Sequence, residues 1–508
     1  MAGARAFREA YLHADQVDPG DFTDWGARQL RYQVLWGYYM GNAYRDALHS
    51  WAKQMRASFG MYKWTRDIYN PAYRLGQFYR TYIWGGRLDM MAGDGKQEPS
   101  ALPIVTDNDA LRPAIAALWR SSNWKVSRKD VPLMGSVLGD AFIEVVDDAE
   151  RGKVYLRQVH PAMVKDVTTD PFGNVKGYTL EYERMLPDST RTSTYSEVVS
   201  RDGDAVVYQT FSKGAPFAWG DVMVEGQPVS TWAQPYGFVP LVHIKHQNLG
   251  LDYGGSELLP RLSLFREVDD QGSKLNDQVR KTVDAAWLFA GMRKPDSSPT
   301  VTGADTSTTK PEAGRDEVPA FYSSDPAAKA QPLVAPLDIA AVAANIGAML
   351  ATLEKDYPEL NLYRLREGQG LSGRAIRLVR QDAESKALDL RDVYDDALVR
   401  AQQMAIAIGG WRKYEGFAGF GLESYAAGDL QHEIGDRPVF ASDPLDTEEV
   451  EAARLENVQR AVSLGWDAPA YMEQRGYSEE AIASMAESER YQAQTALLAL
   501  NSAPVDEG

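Results

Sequence analysis

Gly368, Gly370 and Gly373 reproduce the G-x-G-x-x-G spacing just ahead of a helical stretch, the arrangement that lets a dinucleotide pyrophosphate approach a helix N-terminus. The rest of that chemistry is not there. A dinucleotide site needs a strand–turn–helix unit and an acidic residue on a following strand, whereas helical periodicity runs on from Gly373 to about Ile408. His243 and His246 are the clustered histidines. Three residues apart on a strand they face opposite sides, so one metal cannot take both. The pairs Asp147 with Asp148 and Asp202 with Asp204 fall among turn residues and read as turn formers. The chain contains no cysteine, which removes thiolate nucleophiles, disulfides and Cys-ligated zinc or iron–sulfur centres. No P-loop, nucleophile elbow or Ser/His/Asp arrangement is legible. These readings predict a protein that is not an enzyme, with no catalytic residues, no metal and no cofactor.

Composition narrows the remaining classes. At 508 residues with 44% hydrophobic content, the chain can bury several cores. Its formal net charge of -17 argues against wrapping DNA, which takes an excess of Lys and Arg on the phosphates. A surface past which DNA must slide is compatible with that charge. The Tyr, Trp and Arg run from Tyr62 to Leu88 could stack on bases. Without a binding module around it, an aromatic subdomain core with arginine stems laid over rings is the simpler expectation. No apolar run reaches the ~18 residues of a membrane span, and MAGARAFREAYLHADQ has no signal-peptide core.

The elements that would position any functional residue centre on GGSELLPRLSLFREVDDQGSKLNDQVRKTVDAAWLFAG, from Gly254. Leu258, Leu262, Phe265, Val268, Leu275, Val279 and Val283 recur at three- and four-residue steps, predicting a long helix over 256–286 capped by Ser256. Gly272 lies on the stripe and predicts a close contact or bend. A Pro-, Ser- and Thr-rich stretch follows, in which SPTVT and VPAFYS could form two short strands. A second stripe over 338–356, capped by Asp338, is slimmed by alanines and should pair antiparallel with the first. Tyr357 to Gly370 reads as a loop, and Ser372 caps a third long helix. Before all this, alternating segments over 140–247 describe an antiparallel sheet or small sandwich. After it come a strand pair near HEIGDRPVFA, a helix with Asp446 and Glu449 at capping-box spacing, and two short helices.

Four segments occur in a telling order: GDAFIEVVDD with KVYLRQVHPAMV, the Gly255–Ser256 opening, LREGQGLSGRAIRLV, and DPLDTEEVEAARLENVQRAVSLGW. This order resembles the portal proteins of tailed bacteriophages, of the siphophage-like head-to-tail connector kind. Leu371 to Ile376 is similar to that family's Ser-Gly-x-Ala-hydrophobic segment, and the likeness covers about residues 60 to 490. It implies an α+β portal fold: an α+β wing 59–253, stem helices 254–291 and 337–356, and a β-containing clip 292–336 between them, while the N-terminal segment 1–58 reads as helical from its own pattern and lies outside the likeness. A tunnel loop 357–371, a long helix with wing return 372–429 and a helical crown with its tail 430–508 would complete it.

The same resemblance implies a dodecameric ring at one capsid vertex around a channel for double-stranded DNA. The implied partners are the terminase large subunit, a head-tail adaptor protein, and the major capsid and scaffolding proteins, with no membrane; the implied location is the virion, after assembly in the host cytoplasm. Expected to face DNA are Arg364, Arg366 and Gln369 on the tunnel loop and Lys274, Arg280 and Lys281 on the stem. Lys294, Lys310 and Arg315 of the clip would meet terminase or adaptor. Two other classes stand beside this one: a nucleotide-binding enzyme using the Gly368–Gly373 loop, and a coiled-coil scaffold.

Overall fold

Asp24 opens the first helix among the described residues, α1 (Trp25–Tyr39), by accepting the Ala27 N–H at 2.7 Å. The computed structural model describes residues 24–41, 43, 69, 71–84, 102–187, 189–283, 287–290, 320–323, 329–332, 338–364, 373–440, 444–464, 466–475 and 479–487. From the aromatic run, α2 (Pro71–Tyr82) buries Leu75, Phe78 and Tyr79, which bears out an aromatic core rather than a stacking surface for these residues. Short β1 (Ile104–Val105) precedes α3 (Leu111–Ser121), α4 (Trp124–Ser127) and α5 (Asp130–Leu138).

Twelve strands lie before the first long helix among the described residues: after β1 come β2 (Asp140–Asp148), β3 (Lys153–Val159), β4 (Val164–Thr169), β5 (Val175–Met185), β6 (Thr192–Asp202), β7 (Ala205–Ser212), β8 (Ala215–Pro216), β9 (Met223–Val224), β10 (Gln227–Pro228), β11 (Thr231–Gln234) and β12 (Leu241–Lys245). The antiparallel expectation holds, but the strands divide between sheets. One is three-stranded, ordered β12-β2-β3; the larger runs β11-β7-β6-β5-β4 with β8 added on β7. Strand β2 is buried at every position from Asp140 to Val145, because helices cover the sheet it centres.

A 3-10 turn at Leu259–Arg261 then leads into α6 (Leu262–Val283). The predicted helix over 256–286 is therefore shorter at both ends. Pro260 sits in the 3-10 turn, and the bulky run Trp287-Leu288-Phe289 prefers a strand, β13 (Trp287–Ala290). β13 pairs in parallel with β14 (Ala320–Ser323) and antiparallel with β15 (Lys329–Pro332). VPAFYS thus supplies a strand as expected, while SPTVT lies outside the described residues. Asp338 accepts the Ala341 N–H at 3.0 Å and opens α7 (Ile339–Asp356), as its sequence predicts.

The predicted loop after it begins instead as a helix, α8 (Pro358–Arg364), since proline suits a first helical position. The third long helix, α9 (Gly373–Trp411), runs 39 residues. Ala383, Ala387, Tyr394, Leu398, Ala401, Ala405 and Ile408 on it are fully buried, and it lies across β2, β3 and β12. It is the spine of the larger compact unit, residues 1–439. Short α10 (Leu422–Ala427) follows, then β16 (Glu433–Ile434), whose partner is β1 rather than a neighbour in HEIGDRPVFA.

The second unit, residues 440–508, holds α11 (Pro444–Ser463), α12 (Ala468–Gln474) and α13 (Glu479–Ala486) around Val458, Ala468 and Met472. Because α11 starts at Pro444, Asp446 lies inside its first turn and the predicted capping box does not form the boundary. Among the described residues no helix is long and apolar enough to cross a membrane.

Candidate functional site at the root of the helix pair

Two contacts define how α6 and α7 run. Arg261 Nε pairs with Asp356 Oδ2 at 2.7 Å, and ten residues further along, Asn345 Nδ2 donates to Gln271 Oε1 at 2.8 Å. One helix ascends as the other descends, so the pair is antiparallel. At ~1.5 Å per residue, α6 is about 33 Å long and α7 about 27 Å. Their stripes are covered only near the root. Leu258, Leu262, Phe265 and Val268 are buried, whereas Val279 is 39% exposed. On α7 only Leu353 is buried, Ile339 is 40% exposed, and the alanines from Ala340 to Ala351 face out. Gly272 is buried within an unbroken α6.

Below the pair, Gly254 and Gly255 allow the chain to cross tightly over Gly139: a Cβ on Gly254 would stand 2.3 Å from the Gly139 carbonyl oxygen. Ser256 does not cap the long helix. Its hydroxyl donates to the Val137 carbonyl at 2.6 Å and accepts the Leu258 N–H at 3.1 Å, fastening the crossing to α5.

Glu257, next in sequence, is the hub of the root. Its Oε2 takes His246 Nε2 at 3.2 Å and Gln247 Nε2 at 2.9 Å, while Oε1 accepts from Lys386 on α9. Lys386 also donates to Glu359 Oε1 on α8 at 2.9 Å, and Tyr79 on α2 donates to that same oxygen at 2.5 Å. The ring closes through His246 Nδ1 with the Tyr394 hydroxyl at 2.9 Å and through the Tyr357 hydroxyl, which donates to the Glu257 carbonyl at 2.8 Å. One lysine thus ties the foot of the helix pair, α8 and the spine. Burial alone would push the Glu257 carboxyl up; the hydrogen bond from His246 and the Lys386 charge outweigh it and hold it at about 2. Lys386 is pulled down by burial yet ends raised, because Glu257 and Glu359 both favour its charge. Side chains of Glu257 and Glu359 are 3% and 1% exposed and that of Lys386 28%, so the ring holds two buried carboxylates on one partly buried lysine and fixes helices in place.

Two further carboxylates work the same way. Asp140 accepts from His243 Nε2 at 2.7 Å, from the Gly254 N–H at 2.8 Å and from Tyr32 at 2.7 Å. Asp147 is not a turn former: it ends inside β2 and accepts from Tyr236, Tyr414 and Arg412 at 2.7 to 2.8 Å. The histidines therefore diverge to separate carboxylates, His243 to Asp140 and His246 to Glu257.

Of the residues predicted to meet DNA, Lys274 is on α6 with its side chain half exposed, paired with Asp270 Oδ2 at 2.5 Å on its own helix. Arg280 and Lys281 lie in the last turn of α6 and Arg364 ends α8. Arg366, Gln369, Lys294, Lys310 and Arg315 lie outside the described residues, as do Gly368 and Gly370. The segment leading to those glycines is helix α8, where a dinucleotide fold has a strand. Sequence reading missed Glu257, Glu359 and Lys386. The available signal was a lysine one position from the buried Ala383–Ala387 stripe of α9, where only a paired charge is tolerated. Comparison with protein-family models and with curated proteins finds no match to this chain.

Proposed function

We propose that the chain is a portal-type subunit: it assembles into a ring around a DNA channel, through which a terminase packages the genome and DNA later leaves. The observation that carries this reading is α7. Twelve of its eighteen residues are Ala, Ile, Val, Met or Leu, yet Leu353 is its single buried side chain, so the chain alone does not cover an apolar helix that is capped by Asp338 and paired with α6. Isolated soluble chains seldom expose such a surface, and copies packed side by side would cover it. Supporting it are the antiparallel pairing of α6 with α7 and the three-stranded sheet β13–β15 that falls between them in the chain, the order of stem, clip and stem. The formal charge of -17 per copy would keep a polyanion from adhering to the bore.

In this reading the clip meets terminase and adaptor, with Lys294, Lys310 and Arg315 as contacts. Arg364, Arg366, Gln369, Arg280 and Lys281 supply local positive charge to the DNA path. Lys274, held by Asp270, contributes less. The reading is tested by the effect of Ala344→Glu. Ala344 is exposed on α7, so the substitution should leave the folded monomer's stability within about 0.5 kcal/mol while abolishing assembly. Unimpaired assembly of that variant would remove α7 as a subunit interface.

A further inference from the structure

Resting on the ring reading, we infer that neighbouring copies are joined away from the helix pair by a heterologous contact: the solvent stripe of α9 in one copy seats on the α3–α4 corner of the next. The stripe is drawn by helical spacing. Leu378, Asp382, Ser385, Asp389 and Asp392 recur at steps of four and three, all exposed, flanked by Leu388 at 45% and Val393 at 43% exposure. It runs about 22 Å along the helix, opposite the buried face. Asp382, Asp389 and Asp392 have no ion-pair partner among the described residues.

The corner is its complement in chemistry. Arg120, Lys125 and Lys129 are exposed around Val126, which is 64% exposed, and these three cations also lack ion-pair partners among the described residues. The corner is held firmly. Asn123 turns it with a left-handed φ of 48°, Trp124 is fully buried 5.8 Å from Trp84, and Arg128 Nε donates to the Trp84 carbonyl at 2.7 Å. A partner that offered phosphates alone would gain nothing from an exposed valine among the cations. A surface carrying three carboxylates among leucine and valine uses both the charge and the apolar contact, and α9 is such a surface. Two different patches on one chain, each complementary to the other, make a head-to-tail contact, the kind from which rings are built.

The test uses the full chain, with assembled fraction measured by mass photometry and melting temperature as the folding control. Asp389→Lys with Asp392→Lys, and separately Lys125→Asp with Lys129→Asp, should each lower the assembled fraction at least about tenfold at unchanged melting temperature, and combining all four should restore most of it. If the wild type assembles but either reversal leaves assembly unchanged, or the fourfold variant stays as dissociated as the pairs, the contact is wrong and the ring reading stands. If the Lys125/Lys129 pair instead loses retention of a short DNA duplex with assembly intact, the corner belongs to nucleic acid and the contact is overturned. A wild type that never assembles overturns the ring reading and the contact with it.

Discussion

Lys386 reaches two buried carboxylates, Glu257 and Glu359, that belong to different helical elements. Removing the cation would leave both charges in a closed site, so Lys386→Met should destabilise the larger unit by about 3–5 kcal/mol. Urea unfolding measures this, and a loss under ~1 kcal/mol would show that the ring of contacts holds little. Glu257 adds a pH dependence of known sign. Its carboxyl sits at about 2 when folded and near 4.5 otherwise, so its contribution is present above pH 4.5 and is lost as pH falls toward 2. That amounts to about 3 kcal/mol across the window. Glu197 on β6 runs the other way. Burial, with the Glu144 charge beside it, pushes it up to about 7 even though the Tyr195 hydroxyl donates to it. The folded chain keeps that proton where the unfolded chain has released it, so stability falls as pH rises from 4.5 to 7. Glu197→Gln should flatten the slope in that window alone, read from melting temperatures at a series of pH values.

At the scale of elements, the helices that carry a stripe and a cap were legible. Asp338 caps α7 and Gly373 starts α9 as the spacing requires, because periodicity and capping are local properties of the chain. What was not legible depended on tertiary pairing. The split of the strands over 140–247 among three sheets, the union of β1 with β16 across some 330 residues, and the conversion of Trp287–Ala290 from helix end to strand are all decided by distant partners. The root network escaped for the same reason: Glu257, Glu359 and Lys386 look like ordinary helix charges until α8 and α9 are brought together. Gly272 is buried on α6, next to Gln271, which bonds to Asn345 of α7. Gly272→Leu should force the pair apart and prevent assembly, while a conservative Gly272→Ala should assemble. Sedimentation of the two variants compares them directly.

For the whole molecule, the acidic charge and the uncovered α7 have one account in common. A subunit that lines a DNA channel needs a surface that does not bind the polyanion tightly, and it needs neighbours to cover the apolar helix that its own chain leaves exposed. The central claim is therefore about assembly, and the oligomeric mass and negative-stain shape of the purified full chain test it most directly. Annular particles with a central hole and a mass of about twelve chains are the expected result. A monomer or dimer without a hole, under conditions that preserve rings, would contradict it.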